Sequence, residues 1–331
     1  MSYITGGEDS QLLISNGAFS NIKHWSVFGW QPDADTGSIP VDVWSVPKLY
    51  TPPSSAQVMN VQSTSTDAGS LTSSGLISTA SATQIIDSSA NFIGDGVVVG
   101  DIVLNDTSMD HSVVVSVVSA NVLDILPMHH STTNEIGASY RVVTPAGAGA
   151  TVLRIDGLDA NLDEISEYVI LNGTGVVPTL QQFARVNFCE IHGIFKSESN
   201  DGDIEINGSV DGNTANVVPS QKGHSTNSFR TIPRGYRGFI TNITASLYRS
   251  GVASDAMAQV ALYENLWSGY GYPQGNWLRG IFGVSVAGEY EKSYHPYKVV
   301  EEGSDIWMRV EDVSDNNSVI SVSYDVILIK K

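Results

Sequence analysis

Apolar and polar positions alternate with a period of two along much of this chain. In the C-terminal run SVISVSYDVILI (Ser318 to Ile329), Ile320, Val322, Tyr324, Val326 and Leu328 fall on one face of an extended segment, and Ser321, Ser323 and Asp325 fall on the other. Successive side chains of a β-strand point to opposite faces, so this run reads as a strand half buried against a second sheet. Further runs at Ser112–Ser119, Ala150–Ile155, Ile165–Leu171, Arg185–Phe195, Asp203–Val210, Arg237–Tyr248 and Asp305–Asp312 are rich in β-branched and aromatic residues, with Gly, Asn, Asp and Pro clusters between them. No long segment carries an apolar stripe at helical spacing. The pattern predicts an all-β protein built of sandwiches or barrels.

The stretch TVLRIDGLDANLDEISEYVILNGT (Thr151 to Thr174) crowds carboxylates between β-formers. It reads as a hairpin: Val152–Ile155 as one strand, GLDAN as turn residues, and Ile165–Leu171 as the return strand. Strand parity sends Glu164, Ser166 and Tyr168 one way and Ile165, Glu167 and Val169 the other. Asp156, Asp159, Asp163, Glu164 and Glu167 therefore do not converge, and their spacing departs from a calcium loop. The expectation is a solvated hairpin face with no catalytic or metal role.

Charge narrows the partners. The 331 residues hold 35 Asp and Glu against 17 Lys and Arg, a net charge of −18, which repels a phosphate backbone and argues against nucleic acid. The N-terminal MSYITGGEDSQLL lacks the basic and apolar parts of a secretory signal, and no run approaches a membrane span. The expected setting is the cytoplasm until assembly, with no membrane partner, and Asn-x-Ser/Thr matches such as those at Asn105, Asn172, Asn207 and Asn242 carry no weight there. Cys189 is the single cysteine and sits between apolar residues in RVNFCEI, a small core residue by context.

The hairpin stretch resembles a segment of virion structural proteins of tailed bacteriophages, in which a GLD turn is followed by an acidic strand ending in LNGT. Asp35–Gly69 resembles the Pro- and Trp-containing arm and Ser/Thr-rich strand that precede it there. FARVN (Phe183–Asn187) and TIPRGYRGFITNITASL (Thr231–Leu247) are similar to the later strands of that group. The resemblance implies a non-enzymatic particle component without cofactor. In that group the Ser/Thr-rich strand leads almost directly to GLD, whereas here 75–146 intervenes, with its own β pattern and small-residue ends, STDAGSLTSSG and TPAGAGA. The expected organisation is a jelly-roll-like β-sandwich main body, with an arm and first strands in 1–74, an inserted small β-barrel-like domain in 75–146, and the rest of the sandwich in 147–331.

Sites for chemistry are sparse. The chain lacks a phosphate loop, HExxH, CxxC and GxSxG. His129 and His130 are adjacent and read as a loop pair, with a metal shared at a symmetry axis as the sharper alternative. His24 and His192 read as packed or hydrogen-bonded, with no acid partner placed. Candidate interaction residues are aromatic. Trp267, Tyr270, Tyr272 and Trp277 lie among glycines in YENLWSGYGYPQGNWLRGIF, as sandwich caps, a subunit interface or a glycan platform. Trp30, Trp44 and Tyr50 lie in the Pro-rich stretch 30–53, expected as an extended arm over a neighbouring subunit or virion protein. Two functions follow: an accessory component of the particle exterior, at head or tail and homo-oligomeric with a trimer expected, or a host-receptor or carbohydrate-binding adhesin module of a tail fibre.

Overall fold

A computed structural model describes residues 21–128, 134–145, 149–192, 200–249, 255–266, 275–286 and 288–331. They form strands almost throughout, with one helical turn, Phe92–Asp95. The described residues fall into two compact units: those within 21–51, 161–164 and 226–331 group together, as do those within 52–160 and 165–225.

The first unit is a two-layer sandwich. One sheet has the order β1 (Ile22–Ala34), β22 (Ser318–Lys330), β17 (Tyr236–Arg249), β20 (Tyr290–Val300). The other has the order β16 (Arg230–Thr231), β21 (Ser304–Val313), β18 (Met257–Leu266), β19 (Trp277–Ser285), with β2 (Val41–Asp42) also on β21. The β22 alternation is realised: Ile320, Val322, Tyr324, Val326 and Leu328 are buried against Val260, Leu262, Met308 and Val310 of the facing sheet. Tyr324 carries its hydroxyl into this core, where it donates to Ser228 O at 2.5 Å and so is satisfied there.

The second unit contains three sheets. β11 (Glu164–Ile170), β10 (Val152–Leu158) and β13 (Arg185–His192) form one, and β12 (Val177–Phe183), β3 (Gln57–Ser63), β14 (Ile204–Gly208) and β15 (Thr214–Val218) form the next. Met59, Val61, Leu153, Ile155, Phe183 and Ile206 fill the core they share, together with Cys189, buried as its apolar neighbours imply. The third follows the path β4 (Gly69–Leu76), β9 (Ser139–Pro145), β6 (Ile102–Asn105), β7 (Asp110–Ser119), β8 (Val122–Ile125), β5 (Gln84–Ile86) around its own core of Ile77, Ile85, Phe92, Val103, Leu123 and Tyr140. Ser78 N donates to Ile86 O at 2.7 Å just past the end of β4, so the sheet curls on itself, yet among the described residues β5 and β4 do not pair and no closed barrel forms.

Sequence periodicity cannot reveal which strands share a sheet, and here the structure differs from one main sandwich. The residues flanking the insert are split between the two units, with the chain passing from one to the other at Thr51/Pro52 and Ser225/Thr226. The arm differs too. Trp30 lies within β1, opposite Ser321 of β22, and Trp44 and Tyr50 are only 1% and 8% exposed, clustered with Phe229 and Trp307 of the same unit. A segment poor in ladder donors has folded over its own sheet, because that sheet offers aromatic surface to receive it.

The strand β10 runs on through Gly157 and Leu158, so the expected GLDAN turn is confined to its later residues, and both Gly157 in that strand and Gly173 in the LNGT turn have steric reasons. A Cβ on Gly157 would lie 2.2 Å from Arg185 O and 2.7 Å from the Phe183 ring, at a register shift between β10 and β13. Gly173 has φ +55°, and a Cβ there would meet Thr66 O at 2.5 Å. Glycine in a strand marks such close backbone approaches. Gly157→Ala is expected to lower stability by about 1–3 kcal/mol, the usual cost of forcing atoms into a packed site; denaturant melts of the variant check this.

Candidate interaction surfaces

The hairpin forms as expected, but its carboxylates are dispersed to separate tasks. Asp156 pairs with Arg154 at 2.9 Å and accepts from the Ser166 hydroxyl. Glu164 pairs with Lys23, and Asp163 lies 3.9 Å from Arg234 with both side chains exposed. Glu167 corrects the solvated reading: it is buried, and its two oxygens accept from Leu180 N at 2.7 Å and Gln181 N at 2.9 Å. Parity alone shows that Glu167 faces away from Glu164, and only the fold shows β12 waiting on that side.

The neighbouring cleft gathers Asp106, Arg141, Ser166, Glu167 and Tyr168. Its carboxylates are committed: Asp106 is held bidentately by Arg141 at 2.6 and 2.8 Å, and Glu167 holds β12. Among the described residues no group of three or more His, Cys, Asp or Glu is placed to hold a metal ion. His129 and His130 lie outside the described residues. His24 and His192 do have acid neighbours: strand pairing brings His24 Nε2 to 3.5 Å from Asp325 Oδ1 across β1–β22, and Glu190, two residues earlier on β13, places Oε2 3.6 Å from His192 Nε2.

Of the aromatic loop, Trp267, Tyr270 and Tyr272 lie outside the described residues, and Trp277 opens β19. The surface it belongs to is the open side of the first sandwich, where β19 and β20 are the edge strands of the two sheets. Register places Leu278 opposite Tyr263 and Ile281 opposite Ala261 on one face of β18–β19, with Trp277 opposite Glu264 on the other. Trp277 is 45% exposed, Leu278 49% and Ile281 53%, and on β20 Tyr297 and Val299 are comparably open.

Basic groups are built into the same side. The Arg279 guanidinium lies 5.2 Å from the Trp277 ring centre and bonds Glu264, a nearly buried carboxylate, at 2.6 Å. Lys298 reaches from β20 to donate to Arg279 O, and Lys292 and Lys298 both lie over the Tyr294 ring. Burial holds Lys298 below the usual lysine value, Arg279 and Lys292 push it further down, and Glu264 partly opposes them. A lysine lowered in the folded state weakens stability while it is charged and ceases to do so as pH rises from its folded value to the ordinary one, about 10.4. Lys298→Met is therefore expected to raise the melting temperature at pH 7, with the gain shrinking as pH climbs through that window; melts at pH 7, 9 and 10.5 check the trend.

Exposed Trp, Arg and Tyr side chains held in place by neighbours are the composition of protein interface anchors. No family model, curated protein or solved structure matches this chain.

Proposed function

We propose that this chain is a non-enzymatic structural component of the exterior of a tailed-phage particle, present in several copies and acting through protein–protein contacts. The observation that carries the reading is the open side of the first sandwich. Along its two edge strands, Leu278 and Ile281 open on the outer face of β19 and Trp277 on its other face beside Arg279, while β20 exposes Tyr297 and Val299 and carries Lys292 and Lys298, in a chain of net charge −18. A basic, apolar edge on an otherwise acidic subunit suits docking on a further copy of the same chain, where charge complementarity fixes orientation and buried rings supply affinity. The resemblance of the GLD hairpin stretch to virion proteins, the dispersal of its carboxylates and an acidity unsuited to packaged DNA support the same reading, in which the chain is made in the host cytoplasm and ends in the particle.

An adhesin role is the second reading, favoured by the open Trp277 ring, which has the form of a sugar-stacking platform. Glu264, opposite Trp277 in the β18–β19 register, is buried and turned inward to Arg279 rather than towards sugar hydroxyls, which makes the assembly role the better fit. Sedimentation of the purified chain tests the assembly role. A defined oligomer, a trimer by expectation, should fall to monomer in Leu278→Glu/Ile281→Asp with an unchanged melting temperature; an oligomer indifferent to these substitutions would move the interface elsewhere.

A further inference from the structure

Within the second unit, two imidazoles meet where the six-stranded sheet adjoins the β11–β10–β13 sheet. His111, on β7, and His192, at the end of β13, bring Nε2 and Nδ1 to 3.3 Å, with ring centres 4.3 Å apart and planes at 66°. Tyr168, on β11, stands edge-on to His192 at 5.4 Å and donates its hydroxyl to Met109 O at 3.2 Å. Ile102, Leu104 and Val143 of the six-stranded sheet pack there against Val152 and Tyr168. The contact thus joins two sheets with otherwise separate cores.

An N···N contact between imidazoles requires one N–H and one lone pair. A neutral pair meets that condition, and so does a pair sharing one added proton. With two added protons, N–H faces N–H, and two cations stand 3.3 Å apart in a largely buried seam. The neighbouring carboxylates favour protonation of either ring, so what opposes the second proton is the direct N···N contact itself. Asp110 stands beside His111 on β7, and Glu190 lies 3.6 Å from His192 on β13. On β10 Arg154 and Asp156 neutralise each other at 2.9 Å, and on β9 Arg141 is held by Asp106 at 2.6 Å. Burial pushes the Tyr168 phenol up, so it stays neutral throughout the imidazole range.

We propose that the His111–His192 pair is a proton-operated latch, which holds the six-stranded sheet to its base while the pair carries at most one added proton and loosens the seam when both rings are protonated. Opening then takes up one proton more than the closed state holds, and the ordinary imidazole value of about 6.5 sets where this begins. Release is local. The Arg141 Nη2 bond to Tyr168 O at 2.9 Å and the backbone bond from Gly69 N to Leu171 O at 2.8 Å do not titrate in that range, so they act as the hinge.

Amide hydrogen exchange between pH 7.5 and 5, corrected for intrinsic chemical rates, tests this directly. The opening constant for amides of β7 near His111 and of β13 near His192 should rise by about tenfold per pH unit below about pH 6, the slope for one proton, while β22 amides stay unchanged. His111→Gln should abolish the slope. Equal slopes in wild type and variant, or none in wild type, would overturn the latch. Should His111→Gln fail to fold, ring-proton NMR of the wild type decides: two well-separated steps shared by both rings support the pair, and two independent steps near the ordinary value refute it.

Discussion

Asp42→Ala is expected to destabilise the first unit by about 3–5 kcal/mol, the loss typical of removing one partner from a buried ion pair. The Asp42 side chain is 4% exposed; one oxygen accepts from Arg309 Nε at 2.7 Å and the other from Tyr50 N at 2.7 Å. The substitution strands both donors. The Arg309 guanidinium, largely buried, lies 4.8 and 5.7 Å from the centres of the Tyr263 and Trp307 rings and would lose its carboxylate partner there. Asp42→Ala/Arg309→Met should recover much of the loss, since a well-packed apolar replacement of such a pair is often neutral. Urea unfolding of the two variants measures both effects, and a single-variant loss below about 1 kcal/mol would show that water reaches the pair.

Trp44→Ala should cost a comparable amount, about 3–5 kcal/mol, as large aromatic truncations in cores do. Trp44 is fully buried, meets Tyr50 edge-on at 5.4 Å and donates its indole N–H to Lys48 O at 2.8 Å. Tyr50 continues the cluster to Phe229, and Phe229 to Trp307. The measurement separates two uses of this segment. An arm embracing a neighbour would lose assembly and keep its own melting temperature; a segment packed on its own sheet loses stability even at concentrations where the chain is dilute. The second outcome is the expected one, and Trp44→Phe should retain about half of the lost stability.

These two sites also mark how far the sequence is legible. Alternation in β22 is a local property, and it identifies strand, face and buried residues correctly, because β-sheet side chains have a fixed period. Trp44 and Tyr50 announce themselves as large rings in a Pro-rich stretch, so that something must cover them is readable, but what covers them is not. Phe229 and Trp307 lie about 180 or more positions downstream. Glu167 shows the same limit: parity separates it from Glu164, and its function of capping β12 N–H groups depends on a strand reached through another turn. The imidazole pair is further out of reach, with 81 positions between its members and no shared motif. Strand pairing, rather than spacing, also gives His24 its Asp325. The glycines are an intermediate case. Gly157 and Gly173 stand out in the turn motifs, yet the contacts that exclude a side chain come from Arg185 and Thr66, on other strands and loops.

Electron microscopy of purified phage particles, labelled with an antibody against this chain, tests the central claim most directly. The account predicts label on the particle exterior, repeated at symmetry-related positions, and lost from particles assembled with the Leu278→Glu/Ile281→Asp variant. Particles that carry no label, while the free chain accumulates in the lysate as a monomer, would contradict it.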